Sequence, residues 1–252
     1  MKKLEITIDT AGNMFNNSFI IKIDAANCTS LVDGSACLEH NVYDGWRYSN
    51  QRFESGKIYG LIGEYQQGCM YLSYLLGGRI DFGNLKIYCN DVEITRNDLK
   101  ANSWNLEPQK EHYKKAIVKK SIEKALKSSC LEENFSSIAE KFLLTPPRFD
   151  RKLYQLSGER WRASAALGYA ERKKIFYAPY KTSEFYYNMC QSGLLKVLRE
   201  LANSGAMVLL PVGSDDFMKH IADECIYIKQ TYNIDSLKQL YLERFGNDNW
   251  IS

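Results

Sequence analysis

The chain has 252 residues, 33 of them basic and 30 acidic, for a formal net charge of +3. With 45% apolar and 25% charged residues, it has an ordinary globular composition, long enough for one large domain or one domain with an insertion. So small a positive balance gives no electrostatic footprint for nucleic acid. Seven scattered cysteines without a C-x-x-C pair, and three separated histidines, argue against a disulfide framework and a metal centre.

The N-terminal "MKKLEITIDT" has lysines with no apolar run behind them, so it does not read as a secretory signal. "LEITID" (4–9) and "SFIIKIDA" (18–25) alternate apolar and polar residues as half-buried strands do, and asparagines mark the turn between them. Residues 27–55 are polar and turn-rich. "GKIYGLIG" (56–63) reads as a strand, and "CMYLSYLLGG" (69–78) as a buried helix closed by Gly77-Gly78. "NLKIYCNDVEI" (84–94) reads as a strand pair joined through Asn90-Asp91.

Residues 110–129 form a helix with Ala116, Ile117, Ile122, Ala125 and Leu126 on one side and lysines over much of the rest. That basic side reads as a solvated face, with a docking face for an acidic partner or membrane surface as the alternative. After Pro146-Pro147, helices are expected over 156–174, 192–205, 215–224 and 235–245, with strands at "IFYA", "AMVLLPV" and "CIYIK". This alternation predicts a largely parallel sheet faced by helices, whereas the N-terminal strands look antiparallel. The longest apolar run, "MVLLPV" (207–212), is far too short to span a bilayer. Any membrane role is therefore expected to come through a partner.

The segment "IYGLIGEYQQGCM" (58–70) has the outline of a phosphate-binding loop: a strand, Gly63, four residues, Gly68. As a lone motif it has little weight; the ordered series of segments around it adds more. In order, "GKIYGLIGEYQQGCMYLSYLLGG", "GNLKIYCNDVEI", "WNLEPQ", "FLLTPPRFDRKLYQLSGERWR", "KKIFYAPYKTSEFYY" and "AMVLLPVGSDDFMKHIADECIYI" resemble the nucleotide-binding subunit of ATP-binding cassette (ABC) transporters over roughly residues 50–230.

The resemblance implies an α/β fold of the P-loop NTPase kind, a mostly parallel sheet flanked by helices. It also implies one domain over 1–252: an antiparallel β part and phosphate-loop-like segment (1–100), a helical subdomain (101–155) and the remainder of the α/β core (156–252). It places the phosphate loop at Gly63, Glu64, Tyr65, Gln66, Gln67, Gly68, Cys69 and Met70, and the Q-loop glutamine at Gln109. The signature falls at Leu156, Ser157, Gly158 and Glu159. Tyr43, Trp46 and Tyr48 fall where the family places an adenine-stacking aromatic.

The departures concern the chemistry. The lysine and hydroxyl of the phosphate loop become Cys69 and Met70, and neither supplies a cation or a ligand for a hard metal. The Walker B aspartate falls on Pro179 and the catalytic glutamate on Tyr180, a phenol too weakly basic near neutral pH. The D-loop aspartate falls on Tyr186 and the switch histidine on Gly213. The signature is one glycine short, and Glu159 is expected to bring a carboxylate near a terminal phosphate.

No catalytic residue is therefore assigned, no metal is expected, and ATP is at most a weak ligand without magnesium. The expected function is a non-hydrolysing cassette subunit, paired with a second cassette or a copy of itself and docked on a membrane permease. It would be cytoplasmic and peripheral to the membrane, without nucleic-acid contact or membrane insertion. Ser157 and Gly158, just before a helix, are expected either to complete a partner's nucleotide site or to be a simple cap with Arg160 and Arg162 facing solvent. The alternative function is a soluble scaffold or regulator using the fold as an interaction surface; a third is an ATPase with unusual ligands.

Overall fold

A computed structural model describes residues 14–15, 18–25, 50–63, 68–81, 85–107, 117–228, 242 and 246. In chain order the strands are β1 (Ile20–Asp24), β2 (Gln51–Glu54), β3 (Ile58–Ile62), β4 (Lys86–Cys89), β5 (Val92–Glu93), β6 (Ser103–Asn105), β7 (Ile175–Tyr177), β8 (Met207–Val212) and β9 (Glu224–Tyr227). The helices are α1 (Gly68–Leu76), α2 (Arg96–Asn102), α3 (Val118–Ser129), α4 (Phe135–Lys141), α5 (Arg160–Ala170), α6 (Ser183–Gln191) and α7 (Leu194–Asn203).

The strands form two sheets. One is antiparallel in the order β2-β1-β4-β5, with Ile21 opposite Phe53 and Cys89. The other is parallel in the order β6-β7-β8-β3-β9, with β8 between β7 and β3. Side-chain alternation sorts the parallel strands between two cores. Ile58, Phe176, Val208, Leu210 and Val212 enter the core shared with α3, α5 and α7. Tyr59, Leu61, Ile175, Tyr177, Met207 and Leu209 enter the core shared with α1 and the antiparallel sheet. Both faces are covered, which is why β3 and β8 carry continuous apolar runs.

All nine residues of α1 are buried, so it lies between the two sheets as an apolar helix rather than on the surface. It ends where the Gly78 N–H bonds the Leu75 carbonyl and the Arg79 N–H bonds that of Tyr74. Gly78 takes φ +66, and a Cβ there would collide with the Lys100 backbone, which cannot move aside as a side-chain tip can. Gly78→Ala is therefore expected to lower stability by about 2–4 kcal/mol, from left-handed strain plus overpacking; urea unfolding measures it.

On the opposite face, α5 approaches the sheet closely because it presents Ala163, Ala165, Ala166 and Gly168. Gly168 has no room for a Cβ beside the Trp104 and Phe176 rings. Trp104 donates its indole N–H to Ser164 Oγ at 3.0 Å, and that hydroxyl donates to the Asn105 carbonyl at 3.0 Å.

The hairpin at Asn90-Asp91 is as expected, with φ of 49° and 66° at the two turn residues. Other expectations need correction. The helix over 156–174 is shorter, Arg160–Ala170. The helix over 215–224 is instead a single 3₁₀ turn, Met218–His220, because Met218 anchors it in the core and the chain must re-enter the sheet at Glu224. The polar stretch before residue 55 contains β2. Three helices had no expectation of their own: α2, opened by a Thr95–Asp98 capping box, α4, capped by Asn134, and α6, capped by Thr182. The strand at 4–9, residues 110–116 of the basic helix and, apart from Leu242, the helix at 235–245 lie outside the described residues.

Candidate functional site

In open parallel sheets, ligands bind outside the carboxyl ends of the strands. Here those ends bring together Gly63 after β3, Ala178 to Lys181 after β7, Gly213 and Ser214 after β8, and Glu107 after β6. The Val212 carbonyl accepts the Gly63 N–H at 3.0 Å, and Val212 bridges Lys181 on its other side. The turn after β3 and the segment after β7 are thus held on either side of one residue. Glu64, Tyr65, Gln66, Gln67 and Gln109 lie outside the described residues, as do Tyr43, Trp46 and Tyr48.

Cys69, where the resemblance places the phosphate-loop lysine, is fully buried and its thiol donates to the Gly63 carbonyl at 3.4 Å. Burial pushes that thiol up to about 12, so it carries no charge near neutral pH. Gly63 is wedged there: a Cβ would come within 3.3 Å of both the Cys69 Cβ and the Ile228 carbonyl oxygen. Met70 is buried in the core between the sheets. Ser73, one turn further along α1, is fully buried and donates to the Ala178 carbonyl at 2.7 Å, fastening α1 to the end of β7. In native protein at pH 8, an alkylating reagent is therefore expected to label exposed Cys130 at least about a hundredfold faster than Cys69 or Cys89, which burial also holds high. Peptide mapping reads the result, and both buried thiols are expected to become reactive on unfolding.

Pro179 and Tyr180 after β7 and Gly213 after β8 are neutral. Pro179 has no side-chain oxygen to offer a metal. The Tyr180 hydroxyl occupies the space that a side chain at Gly213 would need. Tyr186 is fully buried among Trp161 and Phe185, and its phenol donates to the Pro211 carbonyl at 3.4 Å. Burial pushes the Tyr186 phenol well up, so it stays neutral.

Two charged groups at this end of the sheet have partners within the chain. Lys181 pairs with Glu107 at 2.6 Å and lies over the Phe185 ring. Asp215 accepts the Tyr227 hydroxyl at 2.6 Å, which holds its carboxyl below the usual range. Sequence reasoning missed the Lys181–Glu107 pair because the partners are far apart in the chain and follow no periodic pattern.

The signature positions divide. Ser157 and Gly158 are exposed, with open space around Gly158, whereas Leu156 and Glu159 are buried. Ser157 makes no cap bond: the residue before α5 is Glu159, and the nearest partner of the serine hydroxyl is the Arg148 guanidinium at 3.5 Å. The carboxylate of Glu159 does not face an outside ligand. It turns inward and accepts the Thr145 N–H and hydroxyl, each at 2.8 Å. Arg148 lies at 3.4 Å and Arg162 at 3.7 Å from it. Arg162 is mostly buried rather than solvent-facing, and its Nε has no hydrogen-bond partner among the described residues.

Cys69 and Met70 on α1 and Glu159 before α5 sit on opposite faces of the parallel sheet. Helix α1 belongs to the core between the sheets and α5 to the core on the other face. Among the described residues there is no cluster of histidine, cysteine and carboxylate groups able to hold a metal, and no helix long and apolar enough to cross a membrane.

This architecture matches solved structures. The cbiO1 protein of Clostridium perfringens, part of the ABC transporter complex cbiONQ, aligns with a TM-score of 0.62 at 13% identity, over 91% of this chain and 96% of that one. An ATP-binding subunit of an ABC transporter aligns at 0.62 and 13% identity, over 88% and 94%. A nucleotide-free ATP-binding cassette from an ABC transporter aligns at 0.59 and 12% identity, over 84% and 88%. No family model and no curated relative matches the sequence.

Proposed function

We propose that this chain, which has the fold of the ATP-binding cassettes of ABC transporters, is a cassette subunit that does not hydrolyse ATP on its own. The observation that carries this reading is the buried, neutral Cys69 thiol bonded to the Gly63 carbonyl where the phosphate lysine of the resemblance belongs. A charge-assisted hydrogen bond contributes about 1.5–3 kcal/mol, so without that lysine phosphate binding weakens by an order of magnitude or more. Pro179, Tyr180 and Gly213 add neither a metal oxygen, nor a base, nor a switch imidazole.

In this reading the chain works beside a second cassette, another subunit or a copy of itself, and reaches the membrane through a permease. The separation of α1 and α5 onto opposite faces supports the pairing. One chain does not bring Cys69 and Met70 together with its own signature positions, and Ser157 and Gly158 remain open to a neighbour.

The test is affinity purification of the full chain from its native membranes, followed by phosphate release with magnesium and ATP. Recovery with a multi-span membrane protein, and release by the isolated chain no faster than buffer, is the expected result. Recovery with soluble proteins only would favour a scaffold, and turnover by the isolated chain would contradict the reading.

A further inference from the structure

The outer face of α3 carries a line of cations with no carboxylate partner among the described residues. At about 100° per residue, Val118, Ile122, Ala125 and Leu126 point into the core while Lys120, Lys124 and Lys127 fall on the opposite side. All three lysines are exposed. None has a carboxylate within 4 Å among the described residues, which is also true of other lysines such as Lys100, Lys196 and Lys219; what sets these three apart is their alignment along one exposed helix face. The half-buried Glu123 is the acid on this helix, and it flanks the line rather than standing in it.

Two exposed arginines stand near the ends of α3. Exposed Arg151 accepts the first N–H of α3 through its carbonyl, which places it beside the helix start. Exposed Arg172 donates to the carbonyl of Cys130, the residue closing α3, at 3.2 Å. Lysine heads on flexible stems, spread over about 10 Å of helix, suit a diffuse plane of negative charge. An acidic peptide would call for a pocket or a fork-shaped donor set.

We propose that the outer face of α3 rests on an anionic lipid surface, a direct electrostatic contact that is independent of any permease. It needs no insertion, since the helix keeps its apolar side in the core.

The test is co-sedimentation of the full chain with phosphatidylcholine vesicles containing 30% phosphatidylglycerol. The triple variant Lys120→Gln, Lys124→Gln, Lys127→Gln is compared with a control variant, Lys100→Gln, Lys196→Gln, Lys219→Gln. The control removes the same charge from three exposed sites elsewhere. Glutamine keeps helix propensity close to that of lysine, and circular dichroism checks that both variants fold.

Each lysine near an anionic surface changes partitioning roughly fivefold. The α3 variant should therefore bind about a hundredfold more weakly than wild type, with the control near wild type, and binding should fade as salt rises. Equal loss in both variants would reduce the effect to net charge and overturn the proposal. So would equal binding to pure phosphatidylcholine, or no binding to the anionic vesicles. Capture by polyglutamate as strong as capture by vesicles would point instead to an acidic protein partner and would also overturn it.

Discussion

Replacing Glu159 with alanine is expected to destabilise the protein by about 3–5 kcal/mol, because it removes one side of a buried ionic and hydrogen-bonded hub. The carboxylate takes both Thr145 donors and faces Arg148 and Arg162, while the glutamate side chain itself is 4% exposed. Without it the Thr145 N–H loses its partner and the mostly buried Arg162 loses its counter-charge. For a chain of this size that corresponds to a fall in melting temperature of roughly 10 °C. Glu159→Gln keeps an acceptor for one Thr145 donor and should lose about half as much. If the carboxylate instead served an external phosphate, the alanine variant would melt near wild type and alter only ligand binding. Differential scanning calorimetry of the two variants separates these outcomes.

Placing a lysine at position 69 by Cys69→Lys is expected to harm the protein rather than create a phosphate site. The side chain at this position is fully enclosed. A buried lysine has its pKa lowered by about 3–5 units, which at 1.36 kcal/mol per unit costs about 4 kcal/mol near neutral pH. The folded form would hold the amine neutral and the unfolded form would hold it protonated. The unfolded state then binds more protons, so stability rises with pH until the unfolded lysine also loses its proton. Relative to wild type, Cys69→Lys should therefore be weakest near pH 7 and recover towards pH 10. Cys69→Ala should lose about 1 kcal/mol with no such pH dependence. Urea titrations across that range measure the difference. A Cys69→Lys variant as stable as wild type at pH 7 would mean that the side chain opens onto the cleft.

The fold was legible in the chain wherever burial imposes a pattern. The continuous apolar runs at 58–62 and 207–212 gave the two central parallel strands, and the Gly77-Gly78 stop and the Asn90-Asp91 turn punctuated α1 and the first hairpin. What escaped were short elements set by side-chain caps, such as α2 behind Thr95, and the turn at 218–220, where anchoring of Met218 overrides a helical pattern.

The candidate site was legible as a series of positions but not as contacts. Cys69 and Met70 could be read as absent chemistry, yet only the packing reveals that both have become core. Glu159 read as a carboxylate near a terminal phosphate because its partner Thr145 lies on a separate turn. The Tyr180–Gly213 pairing, with a ring tip where a side chain would stand, is likewise a fact of tertiary proximity.

Titration of the purified full chain with ATP in a calorimeter, with and without magnesium, tests the central claim most directly. Weak or no heat at submillimolar nucleotide, and no change when magnesium is added, is the predicted result. Saturable submillimolar binding that requires magnesium would contradict it.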